Sequence, residues 1–121
     1  MAYPLAKKPL VKEIEAAEFL AEKKGVGIYI RGGRSSEGAD FFMHGIKWEL
    51  KTLSSPTNNA VANNIKSALK KRQSDKIIID GRSAGLTEQE ALLGIERAAR
   101  NGAQPSRLII ILKGGIIKEF P

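Results

Sequence analysis

An aspartate at position 40 and a Glu-x-Lys triplet at Glu49 and Lys51 are the residues whose types and spacing suit them to chemistry. Strand side chains alternate between faces, so Glu49 and Lys51 should emerge together while Ile46, Trp48 and Leu50 enter a core. Asp40 precedes a tight turn at His44-Gly45, which would fold its own strand back beside Glu49. Two carboxylates supply hard oxygen ligands for a divalent cation. A nearby ammonium can stabilise charge on a phosphate or help position and activate water. This is the minimal equipment for hydrolysing a phosphodiester.

Read alone, Glu-x-Lys is equally a salt-bridged pair on a solvated sheet face, worth about 0 to 1 kcal/mol. Asp40 raises its specificity, and Glu13 on a preceding helix offers a third carboxylate. Crowded carboxylates repel one another, so the group needs compensation from a cation or from Lys51. The expectation is that Asp40 and Glu49 bind Mg²⁺ or Mn²⁺, with Glu13 supporting the site directly or through water and Lys51 assisting hydrolysis. Cysteine is absent and His44 is the lone histidine. Thiolate sites and two-histidine zinc sites are thereby excluded, and no Gly-rich phosphate loop with a following Lys-Ser or Lys-Thr is present.

The elements that must position these residues are legible from periodicity. A helix over Val11 to Lys24 carries an apolar stripe of Ile14, Ala17, Leu20 and Ala21 and stops at Gly25, with Glu13 at the stripe's edge. Strands follow at Val26 to Arg31, Asp40 to Met43 and Ile46 to Leu53, the first two separated by the polar turn Gly32 to Gly38. A second helix over Asn58 to Arg72 would bury Val61, Ile65, Ala68 and Leu69. The apolar runs Lys76 to Asp80 and Leu108 to Leu112 read as central strands covered on both sides. Between them Thr87 caps a third helix, Glu88 to Asn101, with Glu90 completing a capping box. Gly114-Gly115 turns the chain into a last strand, Ile116 to Phe120. This order implies an α/β fold with helices against a sheet.

The 121 residues amount to one domain, expected over 11–121 after a loose leader or linker remnant at 1–10. Neither a signal peptide nor an apolar run of about 18 residues is evident. Twenty basic residues against thirteen acidic ones give a net charge of +7, which attracts polyanions. Lys66, Lys70, Lys71, Arg72 and Lys76 cluster in and just after the second helix. Phe41, Phe42 and Trp48 read as core residues rather than as platforms for stacked bases.

Several segments together resemble a known family. They are Glu13-x-x-Ala16-Ala17-x-x-Leu20-Ala21, Ala39-Asp40-Phe41, Gly45-x-x-Trp48-Glu49-Leu50-Lys51-Thr52, and a helix running into Arg72-Gln73. Over residues 11–120 the chain resembles the C-terminal nuclease toxin domains of contact-dependent growth inhibition systems. The resemblance implies a PD-(D/E)XK nuclease-like mixed central sheet flanked by helices, and a metal-dependent ribonuclease that cleaves transfer RNA. It further implies the terminal part of a larger secreted or cell-surface toxin, acting in the target-cell cytoplasm and neutralised in its producer by a cognate immunity protein. Carried over residue by residue, the catalytic set is Glu13, Asp40, Glu49 and Lys51. Thr52, Asn58, Lys66, Lys70 and Gln73 fall at auxiliary or substrate-binding positions. The literal Pro-Asp of the superfamily signature is departed from, because Ala39 precedes Asp40. A metal-dependent DNA endonuclease would use nearly the same residues, and a non-catalytic nucleic-acid-binding domain would keep the basic helix while tolerating loss of the acids.

Overall fold

The computed structural model describes residues 11–25, 27–31, 40–70 and 75–120, and for residues 11–13, 29–31 and 40 the backbone alone. Along them run α1 (Val11–Lys24), β1 (Ile28–Arg31), β2 (Asp40–Met43), β3 (Ile46–Thr52), α2 (Asn58–Lys70), β4 (Lys76–Asp80), α3 (Glu88–Arg100), β5 (Arg107–Ile111) and β6 (Ile117–Phe120), with a 3-10 turn at Lys113–Gly115. The fold is mixed α/β. The expected leader at 1–10, the polar turn at 32–38 and the end of the second helix at 71–72 lie outside the described residues. The chain divides into two compact units, Met1–Leu50 and Lys51–Pro121, with the boundary inside β3.

In the first unit β2 pairs antiparallel with both β1 and β3. The turn between β2 and β3 has two residues, His44 at φ 52° and Gly45 at φ 74°. Two positive φ angles in succession make the primed turn whose twist matches that of flanking strands. Met43 and Ile46 therefore close the ladder as direct partners. One face of this ladder carries the buried residues Ile28, Phe41, Met43 and Trp48, and α1 contributes buried Ala16, Ala17 and Leu20. Ile46 is a correction to the expected core: it is 38% exposed beside the turn, whereas its partner Met43, flanked on β2 by both Ile28 and Ile46, is buried. Leu50, Phe42, Ile14 and Ala21 are only half-buried, while Ala16, outside the expected stripe, is fully buried.

In the second unit β4 and β5 are parallel and β5 and β6 antiparallel, so this sheet is mixed. Parallel neighbours require a crossover, here α3. Ile77, Ile79, Leu108 and Ile110 form one core with Val61, Ala62, Ile65 and Ala68 of α2 and Ala91 and Ala98 of α3. The alternate residues Ile78, Asp80, Ile109 and Ile111 are buried too, which explains why β4 and β5 read as unbroken apolar runs. Close contact between α2 and α3 depends on Gly94: a Cβ there would lie 2.5 Å from Val61 Cβ and 2.8 Å from the Asn58 carbonyl oxygen.

The helix caps in this unit match the sequence in part. Thr57 Oγ1 accepts from the Ala60 backbone N–H at the start of α2. Thr87 Oγ1 likewise accepts from Glu90 N at the start of α3. The reciprocal half of the expected capping box is not made, because the Glu90 carboxylate turns to α2 and accepts from Asn58 Nδ2 at 2.9 Å.

Candidate functional site

Antiparallel pairing puts Asp40 directly opposite Glu49, and Arg31 directly opposite Asp40. Paired residues share a face, so Arg31, Asp40 and Glu49 make one row across β1, β2 and β3. Cβ atoms of direct cross-strand partners are about 5 Å apart, a separation from which two carboxylates can reach a common cation. Glu49 is only 4% exposed although its neighbour Trp48, on the other face, is only 2% exposed. Both faces of β3 are thus covered at the point where the acid sits. The side chains of Glu13, Arg31 and Asp40 lie outside the described residues. Arg31 did not stand out in the sequence, since only the pairing of β1 with β2 reveals its place in the row.

Lys51 follows Glu49 by two residues along β3, which by strand alternation returns it to the face of the acid. Lys51 and Thr52 are half-exposed. Asp40 and Glu49 are hard oxygen donors of the kind Mg²⁺ and Mn²⁺ prefer. Among the described residues no group of three or more His, Cys, Asp or Glu side chains stands together for a metal.

The remaining sequence candidates take different places. Lys66 and Lys70 are exposed on α2, four residues apart and so on one side of the helix. Asn58 is half-buried and engaged at both ends of its amide: Nδ2 donates to Glu90 Oε2 and Oδ1 accepts from Arg97 Nη1 at 3.0 Å. It braces α2 to α3. Gln73, like Lys71 and Arg72, lies outside the described residues.

A second buried acid went unrecognised in the sequence. Asp80, 5% exposed, closes β4 and accepts from Arg82 three times: from N at 3.1 Å, Nε at 3.0 Å and Nη2 at 2.8 Å. The Leu53 N–H donates to the Asp80 carbonyl at 3.0 Å, so this end of β4 neighbours the chain just past Thr52. An Asp-Gly-Arg sequence ending an apolar strand is the signal that was available. Gly81 permits the geometry, since a Cβ there would press on Leu86 Cβ at 2.5 Å.

No described helix is long and apolar enough to cross a membrane. Residues 37–117 match the family model of the contact-dependent growth inhibition CdiA C-terminal domain. Among solved structures, the chain is similar to a chain of the CdiA-CT/CdiI toxin and immunity complex from Burkholderia pseudomallei. The TM-score is 0.68 at 17% identity, covering 99% of this chain and 92% of that one. At that identity the likeness is one of fold. No curated protein matches the chain.

Proposed function

The chain belongs to the CdiA C-terminal domain family of contact-dependent growth inhibition, and from that premise we propose that it is a metal-dependent nuclease toxin that hydrolyses phosphodiester bonds in transfer RNA. It is the C-terminal toxin domain of a larger secreted or cell-surface protein. The observation that carries the catalytic reading is the direct pairing of Asp40 with Glu49, with Lys51 two residues further along β3. On those residues we also assign it to the PD-(D/E)XK nuclease-like superfamily.

Asp40 and Glu49 would hold Mg²⁺ or Mn²⁺, supported by Glu13. When bound, the cation supplies positive charge that polarises a phosphoryl oxygen. Lys51 would offset charge developing on the phosphate and orient the attacking water, as fixed donors do at other sites of developing negative charge. Arg31, the cross-strand partner of Asp40, would supply a permanent cation to hold the backbone of the substrate.

A net charge of +7 supports a polyanionic substrate. It equally suits a cognate immunity protein that presents an acidic surface and neutralises the toxin in its producer; the similar fold from Burkholderia pseudomallei was solved as a toxin and immunity complex. The test is gel-resolved incubation of the domain with total RNA and duplex DNA, in Mg²⁺ or in EDTA, beside Asp40→Ala. Magnesium-dependent cutting of transfer RNA by the parent alone is expected. Preferential cutting of DNA would move the same catalytic residues to a DNA endonuclease, and cutting of neither would remove the nuclease reading.

A further inference from the structure

The outward side of α2 carries an arrangement that neither packing nor the catalytic row accounts for. Asn59, Asn63, Lys66 and Lys70 are its exposed positions, spaced by four, three and four residues, and they form one line opposite buried Val61, Ala62, Ile65 and Ala68. At 1.5 Å per residue the line is about 16 Å long. The helix holds no Asp or Glu at any of its thirteen positions, although the chain has thirteen acids in all.

The asparagines are the telling part. Asparagine is among the weaker helix formers, because its amide competes for nearby backbone groups. Two of the four in α2 have structural partners: Asn58 braces α3, and Asn64 Nδ2 donates to the Ala60 carbonyl at 2.8 Å. The side chains of Asn59 and Asn63 have no hydrogen-bond partner among the described residues. They sit where alanine, lysine or glutamate would make a better helix, and they offer amides to whatever lies outside.

Resting on the nuclease reading above, we propose that this line is the surface on which the RNA substrate is seated, with Lys66 and Lys70 on phosphates and Asn59 and Asn63 on ribose 2′-hydroxyls. A carboxamide both donates and accepts, as a 2′-hydroxyl does, and a deoxyribose offers nothing in that place. The wide, shallow minor groove of an A-form helix displays its 2′-hydroxyls beside rows of phosphates, which matches a pair of amides followed along the line by a pair of ammonium groups, with no carboxylate among them. The lysines thus hold any nucleic acid, while the asparagines prefer RNA.

The test uses the whole domain, a fluorescent RNA hairpin and the DNA hairpin of the same sequence. Binding is followed in EDTA and cleavage in Mg²⁺. Asn59→Ala/Asn63→Ala should melt at or above the parent's temperature, because alanine favours the helix. It should nevertheless bind and cut RNA about tenfold less well, as expected for two lost hydrogen bonds, while binding DNA as before. Lys66→Gln/Lys70→Gln should weaken both nucleic acids and flatten the salt dependence of binding by between one and two counterions. Unchanged RNA binding by the asparagine variant, in a domain that still cuts RNA, would overturn this inference and leave the nuclease reading standing. Equal losses on RNA and DNA would also overturn it. A parent that neither binds nor cuts RNA would overturn both.

Discussion

Asp80 grips Arg82 with both carboxylate oxygens, Nε to Oδ1 at 3.0 Å and Nη2 to Oδ2 at 2.8 Å, and the two residues are separated only by Gly81. The aspartate side chain is 8% exposed and the arginine's 26%. Removing the Asp80 carboxylate takes away the acceptor of three hydrogen bonds, two of them from the charged guanidinium, at a buried strand end, which costs about 1 to 3 kcal/mol. Asp80→Ala should therefore lower the urea midpoint strongly, and Asp80→Ala/Arg82→Ala should recover part of the loss. A double variant as unstable as the sum of the singles would show that the two do not act together.

Glu49→Gln should abolish most cleavage, by about a hundredfold or more, while leaving the melting temperature nearly unchanged or raised. The amide keeps the shape of the side chain and one acceptor oxygen, replaces the other with a donor, and removes one of two like charges placed opposite each other. Single-turnover kinetics beside a thermal melt separates the two effects. A variant that loses activity only by unfolding would count against Glu49 as a ligand.

Chelation should stop cleavage by the parent, and readdition of Mg²⁺ or Mn²⁺ should restore it. Isothermal titration of Mg²⁺ should show binding that Asp40→Ala weakens at least tenfold. Full activity in EDTA would remove the metal from the proposal.

Gly94→Ala should destabilise the second unit by about 1 to 3 kcal/mol, the usual cost of forcing an extra carbon into a filled contact. The new methyl would meet Val61 and the Asn58 carbonyl, and neither can retreat without moving α2. Denaturant unfolding gives the number. A neutral outcome would mean that the helices part more easily than their packing implies.

The Asp75 carboxyl is held below its ordinary value of 3.8, first by the Lys76 ammonium hydrogen-bonded to it and next by Ser106. A carboxylate depressed on folding contributes stability above its ordinary value, and that contribution is lost as pH falls through the lower folded value. Folding should thus feel Asp75 only in acid. An NMR titration should place its midpoint under 3.8, and Lys76→Gln should move it upward.

What the sequence discloses about this fold follows the range of the interactions involved. The β2–β3 hairpin was legible because His44-Gly45 supplies both positive φ angles within two adjacent residues. The start of α3 was legible because Thr87 reaches a backbone N–H three residues away. Glu90 escaped the same local logic, since its partner Asn58 is 32 residues distant. Arg31 and Asp80 escaped for a similar reason: one gains meaning from strand pairing, the other from burial at the end of a parallel strand. Ile46 misled because alternation tells which face a residue takes, and not whether the ladder's end is covered.

The brace between α2 and α3 bears on how a nucleic acid could be fitted. Gly94 brings the two helix backbones together, and the Asn58 amide is bonded to both Glu90 and Arg97, so α2 can neither roll about its axis nor slide without breaking these contacts. Its outer amides and ammonium groups are held at a fixed azimuth. If α2 seats a nucleic acid, accommodation falls to that molecule, and sequences that bend or open at low energetic cost would be chosen over stiff ones even where no base is touched.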